Sequence, residues 1–445
     1  MKRARADLIL FNLAELVVGE PAVGEGPLGV VPHAALAAAA GRVVWIGPEA
    51  RLRAEVDAVA GAQEIDGGGA VAVPGFVDSH THLIFAGSRE QEYALRARGA
   101  SYQEIAAAGG GIRSTVRATR AATREELVEL ALPRLQAALA HGTTTVEIKS
   151  GYGLSTADEI KMLEAAHDLR SGQPVEIHAN FCGAHEVPPE YQGRTDAYVD
   201  LVVEEMLPAV ARRGLARYVD VFCEEGVFSI EQSRRILDAG ARHGLRAKFH
   251  ADEFVTLGGA ELAAEVRALS ADHLLKARVE GVARMKEAGV TATLLPGTAF
   301  FLGLPYAPAR RFLETGVRVA LASDFNPGSS MGLNLQLVMT MAVSQMKMTP
   351  EEALQGITLQ AAHAMGLEAE VGSLVPGKQC DVVLCAVPNW RWLSYFYGVN
   401  HVRQVIKKGG VVCSEGGFAP LPILPPNSQV ARAKPALEPG NPGTR

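Results

Sequence analysis

The stretch Val71-Ala72-Val73-Pro74-Gly75-Phe76-Val77-Asp78-Ser79-His80-Thr81-His82 is where the reading of this chain begins. Its valines and phenylalanine predict a buried strand entered through Pro74-Gly75. Alternate side chains of a strand share a face, so histidines at i and i+2 on a strand end can hold one metal ion. A His-x-His pair alone is a weak sign, because a buried histidine more often serves as a hydrogen-bonded core residue. The sequence on either side of residue 82 decides between the two.

Downstream, short apolar runs alternate with helix-patterned segments. The runs are 143–148, 175–179, 218–223, 246–250, 268–273, 291–296 and 317–324. Segments 124–141, 158–170, 196–213 and 229–243 between them carry apolar residues near helical spacing. With the first strand this makes eight strands separated by helices, the pattern of a (β/α)8 TIM barrel in an α/β protein. Before residue 70 the chain reads as short strands at 8–13, 39–44 and 64–69, and short strands return at 372–374, 381–384, 402–406 and 411–413. The expected organisation is a barrel over 75–363 and a small β-sandwich domain built from 1–74 and 364–420. A mobile Pro/Gly/Ala-rich tail is expected over 421–445.

A length of 445 residues fits one large domain plus an accessory one. The net charge of −6, with no basic stripe, speaks against a nucleic-acid partner. No run approaches the roughly 20 apolar residues of a membrane-spanning helix. The basic start Met1–Arg5 does not read as a signal segment, since Asp7, Asn12 and Glu15 interrupt the apolar segment behind it. Five scattered cysteines form no Cys-x2-Cys pair, which points to a reduced, cytoplasmic protein.

Barrel chemistry sits at the C-terminal ends of the strands. Those ends offer His80 and His82 on the first strand and His185 after the fourth. They also offer His250 with Glu253 on the fifth, His273 on the sixth and Asp324 on the eighth. Three imidazoles and one carboxylate suit zinc or iron, and His80, His82, His250 and Asp324 are assigned as that ligand set. Taken singly, Asp324 is more simply a turn residue and His273 a hydrogen-bonded strand-end histidine. Their joint placement at successive strand ends favours a site.

Near a metal that lowers the pKa of water towards about 7, Glu253 reads as the proton carrier, or else as a residue that orients a histidine. His273 would polarise the electrophile, Asp324 could both ligate and accept a proton, and the division of roles stays open. The planar fork of Arg89 suits a small substrate bearing a carboxylate, although an ordinary surface arginine is the plainer reading. Tyr152, in the 150–153 turn closing the third or fourth strand, could place a phenol over the mouth. Residues 326–330 could offer backbone N–H groups to an anion. Gly109-Gly110-Gly111 lacks the Lys-Ser/Thr of a phosphate loop and reads as a flexible turn.

Residues 74–82, with the later barrel histidine and aspartate, resemble the amidohydrolase superfamily. The finer motifs lie at 80–90, 109–116, 147–154, 183–188, 250–253, 270–274 and 324–329, and are similar to the imidazolonepropionase family of histidine degradation. The resemblance implies one zinc or iron ion on His80, His82, His250 and Asp324. It implies substrate contacts from Arg89, Tyr152, His185, Glu253, His273, Asn326, Gly328 and Ser329, with Glu253, His273 and Asp324 as the catalytic groups. The implied reaction opens the cyclic amide of 4-imidazolone-5-propanoate to N-formimidoyl-L-glutamate by metal-activated water, and family analogy offers a homodimer. Ala179-Asn180-Phe181-Cys182 departs from the family pattern, which touches only packing behind His185. Lys149 invites a carboxylated, two-metal reading, but family precedent and the lack of a second acid cluster nearby in sequence speak against it. Two other readings compete: an aminohydrolase of purine or pyrimidine bases, with less need of Arg89, and a metal-free scaffold barrel, which would have no use for the four ligands.

Overall fold

In the computed structural model, which describes residues 3–21, 23–100, 104 and 110–414, the chain begins with β1 (Ala4–Val17), β2 (Val30–Ala39), β3 (Arg42–Pro48), β4 (Val56–Asp66) and β5 (Val71–Pro74). β1 and β4 are longer than the sequence suggests, and β2 begins in a stretch where it suggests no strand. The alanine-rich stretch 34–38 is fully buried in β2, where small side chains allow close packing. The strand expected at 39–44 is interrupted by the hairpin turn Ala40-Gly41, both with positive φ, so that Ala39 ends β2 and residues 42–44 open β3. Residues 372–374 form no strand.

Gly75 then divides the diagnostic stretch between two sheets. A Cβ there would lie 2.3 Å from Thr144 Oγ1, so the close approach requires glycine. Beyond it run the barrel strands β6 (Phe76–Asp78), β7 (Thr143–Lys149), β8 (Glu176–Ala184), β9 (Tyr218–Cys223), β10 (Arg246–Ala251), β11 (Ser270–His273), β12 (Thr291–Leu294) and β13 (Val319–Leu321). They pair in parallel and in sequence order. Past the end of β13 the chain returns to β6. Asp324 N–H donates to the His80 carbonyl at 3.0 Å and His82 N–H to that of Phe325 at 2.9 Å, which brings the first and last barrel segments together.

The helices between the strands start where polar caps allow. Thr123 and Glu126 form a capping box for Arg124–Ala140, and Ser229 and Gln232 form one for Ile230–Arg242. One apolar cluster joins the helices to the outside of the barrel, with Leu135, Leu163, Ile236, Val282 and Phe312 fully or almost fully buried.

After the barrel come β14 (Val382–Cys385), β15 (Val402–Lys407) and β16 (Gly410–Ser414). They complete a single eight-stranded mixed sheet in the order β16-β15-β14-β5-β1-β2-β3, with β4 alongside β1. Strands from both ends of the chain thus share one hydrogen-bonded sheet and one apolar cluster, in which Leu10, Leu36 and Val43 join Val382, Leu384 and Ile406. The order of the barrel strands corrects two placements: His185 follows the third barrel strand, β8, and residues 150–153 follow the second, β7. Apolar runs show order along the chain but not which sheet each one joins. The tail over 421–445 and Gly109 lie outside the described residues.

Candidate active site

The C-terminal strand ends bring His80, His82, His250, His273 and Asp324 together, all almost completely buried. His80 Nε2 lies 3.3 Å from Asp324 Oδ1, His82 Nε2 lies 3.8 Å from the same oxygen, and the Nε2 atoms of His82 and His250 are 3.3 Å apart. Donor atoms of His80, His82 and Asp324 are close enough to share one ion, as are those of His80, His250 and His273.

The tautomers follow from the partners behind the rings. His80 Nδ1 lies 2.6 Å from Asp272 Oδ2, and His250 Nδ1 lies 2.8 Å from Asp220 Oδ1. Each Nδ1 must carry the proton to meet a carboxylate, so each Nε2 presents a lone pair to the centre. His80 Nε2 is buried without a hydrogen-bond partner. Burial holds His80, His82 and His273 well below the ordinary imidazole range, which keeps them neutral and able to ligate. Burial likewise pushes Asp324 up to about 6, while Thr298 Oγ1 donates to its Oδ2 at 2.6 Å. A cation at the centre would reverse that preference and favour the anion. Neutral imidazole lone pairs facing one carboxylate oxygen fit a divalent metal ion.

His273 and Asp324 adopt φ values of 74° and 49°, a left-handed conformation costly for side chains of this kind. In each case the chain turns sharply at the strand end, which directs the functional group inward. Glu253 is buried beside this centre, 3.4 Å from His273 Nδ1. Burial, reinforced by Asp324 and Glu224, raises its carboxyl well above the ordinary glutamate range.

The residues expected to meet the substrate surround the same centre. His185 stacks on His82 with centroids 4.6 Å apart, and its Nδ1 donates to the Gly151 carbonyl at 3.1 Å. Burial takes its pKa down to about 3. Tyr152 is buried with its ring 5.4 Å from His185 and 5.8 Å from His82. Arg89 pairs with Glu92 through Nε at 2.9 Å and a terminal nitrogen at 2.8 Å, and packs against Gly328.

One expectation changes here. The N–H groups of Gly328 and Ser329 are not turned outward to an anion, because both donate to Asn326 Oδ1 at 2.8 Å. Asn326 Nδ2 also donates to Ser329 Oγ at 2.8 Å, which leaves the serine proton for another acceptor.

Several residues of the site carried no signal in the sequence. Asp220 and Asp272 orient two imidazoles, and Glu224 accepts the N–H groups of Glu253 and Phe254 at 3.1 and 3.0 Å. Glu159 accepts three N–H groups of the 151–154 turn. Lys149 lies among Glu147, Asp220 and Asp272, a cluster of which only Glu147 is near in sequence, and its nitrogen is committed to ion pairs. Asn180, in the segment that departs from the family pattern, donates to Glu147 and Asp220 at 2.8 and 3.2 Å. Acidic residues within the neighbouring apolar runs, close to the strand ends that carry the histidines, were the places to look.

The profile of the amidohydrolase family matches residues 71–412. An imidazolonepropionase of Geobacillus kaustophilus is 53% identical over 390 residues, covering 87% of this chain and 92% of that protein. One from Symbiobacterium thermophilum is 51% identical over 416 residues, covering 92% and 98%. In fold, the chain is similar to a triazine hydrolase variant at TM-score 0.70 and 17% identity, covering 93% of this chain and 96% of that one. It is also similar to an N-isopropylammelide isopropylaminohydrolase of Burkholderia multivorans at TM-score 0.67 and 19% identity, covering 92% and 98%. Together with the histidine and aspartate centre at the barrel mouth, these matches mean that the chain belongs to the amidohydrolase family and, within it, to the imidazolonepropionases.

Proposed function

We propose that this chain hydrolyses the ring amide of 4-imidazolone-5-propanoate to N-formimidoyl-L-glutamate, using one zinc or iron ion held by His80, His82, His250 and Asp324. The observation that carries the metal centre is the convergence of the His80 and His250 Nε2 lone pairs on His82 and Asp324, enforced by Asp272 and Asp220. When bound, such an ion lowers the pKa of water towards about 7 and so supplies a nucleophile at neutral pH.

The protein's own groups then divide the work. In this reading the ring carbonyl carbon gains the water oxygen, its bond to the ring nitrogen breaks, and that nitrogen takes a proton. Glu253, whose buried carboxyl favours the protonated form, gives that proton to the nitrogen as the bond opens and recovers one from the proton the water gives up. The neutral His273 ring, set by its left-handed backbone with Nδ1 3.4 Å from Glu253, donates a hydrogen bond to the carbonyl oxygen as negative charge develops there. Thr298 holds one oxygen of Asp324 and leaves the other facing the histidines.

Arg89 takes the propionate with help from the Ser329 hydroxyl, so contacts remote from the reacting carbon provide the orientation. Tyr152 and His185 cover the far side of the ring and limit the entry of bulk water. All five thiols are unpaired and four of them are buried, in keeping with a reducing compartment such as the cytoplasm.

The test monitors the ultraviolet decay of fresh imidazolone propionate with metal-replete and chelated enzyme. Metal-dependent decay to N-formimidoyl-glutamate is expected. No decay by enzyme shown to hold metal would reject this reading and direct attention to deamination of cytosine, guanine and related rings.

A further inference from the structure

Beneath the imidazoles, Lys149 reaches from the end of β7 into the barrel and is fully buried. Its Nζ lies 2.5 Å from Glu147 Oε1, 2.6 Å from Asp220 Oδ2 and 3.6 Å from Asp272 Oδ2. Asp220 and Asp272 are the two carboxylates that orient His250 and His80. One ammonium therefore stands between the supports of two ligands that lie on different strands. Lys248, equally buried, has a different role. It pairs with Glu147 Oε2 and donates to the carbonyls of Ser79 and Ala364 at 2.9 and 3.3 Å; its charge also favours the Asp272 anion, but it touches neither aspartate directly.

We propose that Lys149 is a positioning residue for the metal centre: its ammonium draws Asp220 and Asp272 towards one point, and so holds His250 and His80 with their Nε2 atoms converging. The inference rests on the reading of these histidines as metal ligands, and not on the identity of the substrate. Its physical basis is the crowding of three buried carboxylates, which repel one another strongly where water is excluded. A lysine suits this place because its compact charge and three donors can serve acceptors that surround one nitrogen, whereas the five donors of a guanidinium are spread over a rigid plane. Without it the carboxylates separate, the Nδ1–H bonds loosen, and the rings gain freedom to rotate or change tautomer. Loss of such outer support of a metal ligand costs about 10–100-fold in metal affinity.

The full-length apoprotein is titrated with cobalt(II) against a competing chelator, with the visible absorption of the bound ion and thermal melting recorded in parallel. Lys149→Met is expected to bind cobalt about 10–100-fold more weakly, with an altered visible spectrum. Lys248→Met removes an equally buried charge that touches neither aspartate, and it is expected to weaken binding less than Lys149→Met. Wild-type affinity and spectrum in Lys149→Met, or equal losses in the two variants, would overturn the proposal.

If Lys149→Met does not fold, the double variant Glu147→Gln, Lys149→Met removes an anion with the cation. It is expected to fold and to show the same weakened binding. Wild-type binding by the double variant, or its failure to fold, overturns the proposal as well, the latter by making Lys149 a folding residue. A wild-type protein that binds no cobalt refutes the metal-centre reading itself, which separates the two failures.

Discussion

Arg89 and Gly328 meet so closely that a Cβ at 328 would lie 2.2 Å from a terminal nitrogen of Arg89. Since the obstructed atom is the end of a flexible side chain, Gly328→Ala should leave melting nearly unchanged and displace the guanidinium. Steady-state kinetics should then show a raised KM with a smaller change in kcat. Arg89→Ala should do the same more strongly, and an unchanged KM in that variant would remove Arg89 from the carboxylate site. Glu253→Gln keeps the shape of the side chain but cannot pass a proton, and it should lower kcat by about 10²–10⁴-fold with metal content intact. The histidines, Asp324 and Glu253 were legible in the sequence because each lies at or just past the end of a recognisable strand. Asp220 and Asp272 were not, because an aspartate inside an apolar run carries no mark of the imidazole it faces. The pair His80 and Asp272 is separated by 192 positions.

At the scale of elements, the point of greatest consequence is where β13 rejoins β6. Asp78 is buried there and accepts from Ser323 N–H at 3.0 Å and from Ser323 Oγ at 2.6 Å. Ser323→Ala leaves a buried carboxylate with one donor fewer, which should cost about 1–3 kcal/mol in denaturant unfolding. A second link joins the barrel to the mixed sheet. Glu176, at the start of β8, faces Lys407 at 3.4 Å and Lys408 at 3.2 Å. A hydrogen bond from His178, with those two lysines, holds its carboxyl below the usual glutamate range despite partial burial. A depressed carboxylate adds stability that is present above its unfolded pKa and lost as the pH falls through the folded value. Glu176→Gln should therefore lower melting at pH 7 by the equivalent of about 1 kcal/mol or less, and the difference from wild type should close as the pH drops below about 4.3. The alternation of strands and helices was readable because each run is local. The break at Pro74-Gly75 was visible, but the partners on either side of it were not: Val71–Pro74 pairs with β1 and β14 while Phe76–Asp78 pairs with β7.

For the whole molecule, a metal that binds only the folded state should stabilise it by about 2.7 kcal/mol at a hundredfold excess over its Kd. Chelation should lower the melting temperature, and adding zinc or iron(II) should restore it in proportion to occupancy. Equal melting of apo and replete protein would argue against a buried centre. By itself the sequence determined what depends on near neighbours: the period of the strands and helices, the i, i+2 histidine pair, and the placement of histidines and Asp324 at strand ends. The sequence already grouped the segments before and after the barrel into one β domain, whereas the tertiary structure alone decided the strand order of their continuous sheet and that the segments beside His80 and Asp324 close the barrel. Only the structure placed Lys149 between the carboxylates that hold His80 and His250. The physical reason is that backbone propensity and hydrophobic periodicity act over a few residues. Pairing of buried charges and closure of the barrel join groups about 70 to 245 positions apart, whose meeting only the folded packing specifies.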